Sequence, residues 1–143
     1  MSARLEQAPA LLALIAAGAL APAAIGGKPQ VVVGPGAVAR TITAGSYRVA
    51  IRISPNAAGR RLNTFVVRTT RDGKPVTGGV SIRFTMPAMG MPPLSLRLSA
   101  QSAGVARNVG EKLTMPGRWN IVLHVVPRGA PPFDVALVDV VGL

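Results

Sequence analysis

The sequence predicts an all-β chain, and three observations carry that prediction. From residue 30 onward the apolar residues recur with a period of two rather than 3.6. Glycine (16) and proline (13) are both frequent, which suits many short strands joined by tight turns. Hydrophobic residues make up 49% of the chain but aromatics only 3%, so the core has to come from Val, Ile, Leu and Ala. The 143 residues suit one domain behind a leader or an anchor.

Residues 1–24 form the first unit. No charge occurs between Glu6 and Lys28, and the densest apolar run is Leu11 to Leu20, bounded by Pro9 and Pro22. A bilayer crossing needs about 20 apolar residues, so this run suits the apolar region of a signal peptide better. Arg4 precedes it, and Ala19-Leu20-Ala21 and Ala21-Pro22-Ala23 both offer a small-x-small cleavage pattern. An uncleaved anchor helix over most of Gln7 to Ile25 and a helix buried in a soluble core are the other two readings. The expected setting is periplasmic or otherwise extracytoplasmic, with the domain secreted or held at the membrane by this segment.

Residues 30–143 form the second unit. Tyr47, Val49, Ile51 and Ile53 alternate with Ser46, Arg48, Ala50 and Arg52. The same alternation runs through Phe65 and Val67, through Val80, Ile82 and Phe84, through Leu94, Leu96 and Leu98, and through Trp119, Ile121, Leu123 and Val125. Such strands bury one face and leave Arg and Ser in water. Asp72-Gly73 followed by Lys74-Pro75 marks a tight turn, and Gly78-Gly79, Ala103-Gly104 and Pro116-Gly117 mark others. In the last strand Phe133, Val135 and Leu137 share one phase and Val138 and Val140 the other. A bulge near Leu137 would keep both sets inside and leave Asp134 and Asp139 outside. Strands every 12 to 16 residues suggest a β-sandwich, and a closed barrel fits the same pattern.

The charge is lopsided: 16 Lys and Arg against 5 Asp and Glu, a formal +11. No basic run is longer than Arg60-Arg61, and the arginines spread over the outward phase of several strands. That pattern is a solvated basic surface or one that docks on a membrane protein or an anionic envelope surface. Nucleic acid is not an expected partner, because aromatics for stacking are scarce. Cysteine is absent, which excludes disulfides and thiolate metal sites. With one histidine and four carboxylates after the leader, and no catalytic motif among them, no enzymatic activity is expected.

The local feature that stands out is Met86-Pro87-Ala88-Met89-Gly90-Met91-Pro92-Pro93. Thioether sulfur is a soft neutral donor suited to Cu(I), and imidazole also binds copper. Met89 and Met91 are two residues apart and share a side if extended. Met86, Met89, Met91 and His124 are therefore the candidate metal ligands, and copper the candidate cofactor. Met86 also continues the inward phase of Val80, Ile82 and Phe84, which suits a core residue. His124 lies in the outward phase of its strand, and Trp119 suits a core anchor.

Several segments together resemble a known family. Asp72-Gly73-Lys74-Pro75-Val76, the run Val80 to Phe84, the Met-Gly loop, and Leu113-Thr114-Met115-Pro116-Gly117-Arg118-Trp119 with a Val-rich end look like a YtkA-like domain. That domain occurs alone behind a leader and at the C-terminus of CopC/CopD-type bacterial copper transport proteins, and FixH-type proteins show a related pattern. The resemblance covers about residues 45–141. It implies an immunoglobulin-like antiparallel sandwich of about seven strands, a membrane transport or assembly protein as partner, and an association with copper handling. Met89 and Gly90 match the family's Met-Gly loop. Asp72, Gly73, Gly117 and Trp119 match its structural turns. The amino-terminal histidine of a CopC copper site has no counterpart here.

Overall fold

A computed structural model describes residues 30–143; the leader or anchor expected over residues 1–24 lies outside the described residues. The described chain is all-β. Its strands are β1 (Val32–Val33), β2 (Val38–Ala44), β3 (Tyr47–Ser54), β4 (Asn63–Arg71), β5 (Lys74–Pro75), β6 (Gly78–Thr85), β7 (Leu94–Ser102), β8 (Val105–Gly110), β9 (Gly117–Pro127) and β10 (Phe133–Val141). Ten strands thus stand where about seven were expected. Two of the additions, β1 and β5, are only two residues long.

The strands form one continuous path in the order β1-β10-β9-β6-β7-β8-β4-β3-β2, with β5 paired to β4. All pairings are antiparallel except that of β1 with β10. Strand β7 is the bend in this path. Its first half, Leu94 to Leu98, pairs with β6, and from Ser99 it pairs with β8. A register shift between Ala100 and Ser102 accompanies the change.

The sheet curls until its ends meet. Beyond β3, the backbone N–H of Ala58 donates to the Gly142 carbonyl at 2.9 Å, just past β10. The buried Asn56 Nδ2 donates to Asp139 Oδ1 on β10 at 3.0 Å and to the Gly36 carbonyl at 2.8 Å. At the opposite end, the Tyr47 ring on β3 stacks on Phe133 of β10 with centroids 4.6 Å apart. The curl encloses one core, because each strand alternates. Phe65, Phe84 and Trp119 are its largest members, and Phe65 meets Phe84 edge to face at 5.3 Å. Ile51, Ile53, Ile82, Ile121 and Leu123 fill the space between them. With so few aromatics, branched aliphatic side chains do the filling, as the composition requires.

The last strand departs from expectation. The β9–β10 register runs without a break from Phe133↔Val125 to Val141↔Gly117, so no bulge occurs near Leu137. Asp139 keeps the inward phase of Val135 and Leu137 and is fully buried, not outside. Val138, in the outward phase, is buried where residues 31–33 run beside it. Burial pushes the Asp139 carboxyl above its ordinary range, while the hydrogen bond from Asn56 acts the other way.

Candidate functional site

The methionine-rich segment connects β6 to β7 and lies at one end of the curled sheet. Met86 follows β6 in its inward phase and is 5% exposed, so it closes that end of the core. Pro87–Met89 then form a single 3₁₀ turn. The Met89 N–H donates to the Met86 carbonyl at 3.0 Å and the Gly90 N–H to the Pro87 carbonyl at 3.2 Å. Gly90 ends the turn in the left-handed region, φ 60°, a conformation glycine adopts at little cost. Met89 sits at the tip and is 57% exposed, whereas Met91 is half-buried against the core. Pro87, Pro92 and Pro93 restrict the backbone on both sides.

The segment before β9 packs beneath this loop. Leu113 and Trp119 are buried, and the Trp119 Nε1–H donates to the Met115 carbonyl at 2.9 Å. Gly117 has φ 129°, and a Cβ there would lie 2.7 Å from the Met86 methyl. The conformation favours glycine here, and a Cβ would in addition displace the flexible end of Met86. Met115 is half-buried against the same core. The four methionines of the described chain thus gather at one end, three on the β6–β7 connection and one on the segment that enters β9.

Asp72 and Gly73 both have positive φ, 51° and 76°, and join β4 to β5 with Arg71 opposite Lys74. That is the two-residue hairpin turn expected from Asp-Gly. Asp72 and Gly73 thus make a hairpin turn, and Gly117 and Trp119 lie in the packed methionine end.

His124 lies elsewhere. It faces outward on β9, opposite Ser81 of β6 and Asp134 of β10. Its Nδ1 is 2.6 Å from Asp134 Oδ1, and both side chains are about half exposed. Ser81 precedes Met86 by five residues, which at about 3.3 Å per strand residue is roughly 16 Å. His124 therefore does not join Met86, Met89 and Met91. Ser81, Arg83, Ser95 and Asp134 line a shallow groove with it. Only the strand order brings them together.

Among the described residues no three His, Cys, Asp or Glu side chains gather into a metal-binding group. The donors available at the loop are neutral thioethers, of which Met89 is exposed and Met91 partly so. That donor set fits a soft monovalent ion such as Cu(I) and does not suit Zn(II) or Cu(II), which favour imidazole, thiolate or carboxylate.

A family model described as YtkA-like matches residues 42–124, more than half of the chain, from within β2 to His124. No curated protein and no solved structure matches the chain.

Proposed function

The chain belongs to the YtkA-like family, and from that premise we propose that it is an extracytoplasmic, non-catalytic domain that handles Cu(I) as cargo. The observation that carries this reading is Met89, held in solvent at the tip of a proline-bounded turn with Met91 two residues on. An apolar thioether kept 57% exposed gains nothing from burial. A soft ion gives it a role. Met91 would supply a second sulfur, and Met86 and Met115 line the apolar floor behind them. The partner in this reading is a membrane transport or assembly protein that receives or delivers the ion. The extracytoplasmic setting rests on the apolar run Leu11 to Leu20 and the small residues after it.

We read the curled sheet as a two-layered immunoglobulin-like sandwich, with β7 passing from one layer to the other at Leu98–Ser99. Such a scaffold presents end loops on rigid strands, and the methionine turn is an end loop.

Competition of the reduced, full-length chain against a chromophoric Cu(I) chelator tests the reading. The wild type is expected to take one ion per chain, and Met89→Ala/Met91→Ala to bind it about tenfold more weakly or worse. Equal affinity of the two chains would refute the site.

A further inference from the structure

The strand order gathers arginines that the sequence scatters. On the outward face of β3, β4 and β8, Arg48 stands opposite Thr70, Ala50 opposite Arg68, Arg52 opposite Val66, and Val66 opposite Arg107. Arg68 therefore has Arg48, Arg52 and Arg107 as its diagonal neighbours on adjoining strands, at roughly 7–8 Å. All four side chains are exposed. The residues between them are Thr70, Ala50, Val66 and Val105, continued on β2 by Thr41 and Thr43. No carboxylate lies on this face. Among the described residues the one basic side chain within 4.0 Å of a carboxylate is His124, beside Asp134 on the other outward face.

Like charges at this spacing repel each other and disfavour the fold by a small amount each. They cease to do so when an anionic surface lies over them. Guanidinium groups bind phosphate oxygens through paired N–H donors, and threonine hydroxyls add further donors. The face holds no aromatic side chain, and its apolar members Val66 and Val105 are half-buried. Protein interfaces pair such arginines with buried aromatic anchors, and single-stranded nucleic acid needs aromatics for stacking. A layer of phosphate headgroups needs neither.

We infer that the Arg48–Arg52–Arg68–Arg107 face docks this domain on an anionic phospholipid membrane. The inference goes beyond the copper reading and does not depend on it. The face would then orient the domain by its sheet, with the methionine turn at the sheet's end clear of the lipid.

The full-length chain and two matched variants test this by co-sedimentation with phosphatidylglycerol-containing and pure phosphatidylcholine vesicles. Arg52→Gln/Arg68→Gln removes two diagonal charges from the proposed face. Arg83→Gln/Arg97→Gln removes two diagonal charges from the opposite outward face, where Arg97 stands opposite Ser81 and Arg83 opposite Ser95. Each arginine at an anionic surface contributes about fivefold to binding. The first variant is expected to lose about 25-fold in preference for anionic vesicles and the second only a few-fold. Wild-type preference should also fall as salt is raised. Equal losses in the two variants would assign the effect to net charge and overturn the inference. So would the absence of a preference in the wild type, or tighter binding to duplex DNA than to anionic vesicles. Unchanged thermal melts of both variants establish that each loss is one of contact and not of fold; a loss found only with a collapsed melt would contradict the assignment of these arginines to an exposed face.

Discussion

Met86, Met89 and Met91 fall within six residues of one connection, whereas Arg48, Arg52, Arg68 and Arg107 come from three strands, of which β8 is distant in the chain from β3 and β4. The first group is contiguous because a single turn makes it. The second exists only because β8 returns to pair with β4, and β4 with β3. A local site tolerates change elsewhere as long as its loop is held. A site assembled by strand order depends on register, since a slip of one residue would turn every arginine inward. Both rest on the same core, and that is where the contrast is most easily broken.

The largest effect is expected from Trp119→Ala. This residue is 1% exposed and fills the core beneath the methionine end, so its truncation should cost about 3–5 kcal/mol. If one core supports both regions, a thermal melt remains a single transition, and Cu(I) affinity and vesicle preference vanish together. Two resolved transitions would separate the regions and contradict the single core.

A smaller and more selective change is Gly117→Ala. The positive φ of 129° strains any side chain there, and the new Cβ would press on the Met86 methyl. The expected cost is about 1–3 kcal/mol. Differential scanning calorimetry should show the lower melting temperature, and the loop should lose Cu(I) affinity while vesicle preference stays as in the wild type. Loss of vesicle preference in this folded variant would show that the two regions are coupled.

The smallest effect concerns the seam where the sheet ends meet, which belongs to neither region. The Asp139 carboxyl is held above its unfolded value near 3.8 because burial disfavours the charge. Between that value and the folded one, the native chain binds more protons than the unfolded chain. Stability therefore falls as pH rises through this window, and the cost persists at neutral pH. Asp139→Asn keeps an acceptor for Asn56 and carries no charge, so it should stabilise the chain at pH 7 and remove the slope. Denaturant melts across pH 4 to 7 measure it. A steeper slope in the variant would mean that the charged form is the one the seam favours.

These regions also differ in how far the sequence alone discloses them. The strands with clean alternation, β3, β4, β6 and β9, are legible because buried apolar residues recur at every second position, in β4 only at Phe65 and Val67. β2 and β8 escape notice because Arg40 occupies an inward phase in one and Arg107 and Asn108 dilute the other. In β10 the pattern misleads. Five apolar residues in a mixed phase suggest a bulge, yet Asp139 takes an inward position because Asn56 reaches it from the β3–β4 loop. Period-two logic has no access to a partner 83 residues away. The methionine turn and the Asp72-Gly73 hairpin are visible because their determinants are neighbours in the chain. The distance between His124 and that turn, and the arginine face, are set by pairing partners and appear only in the fold.

The most direct measurement is Cu(I) competition carried out on crossed variants of the full-length chain. Met89→Ala/Met91→Ala should lose about tenfold or more in Cu(I) affinity, while Arg52→Gln/Arg68→Gln should bind the ion as the wild type does. Loss of Cu(I) affinity in the arginine variant, or none in the methionine variant, would contradict the assignment of the ion to the β6–β7 turn.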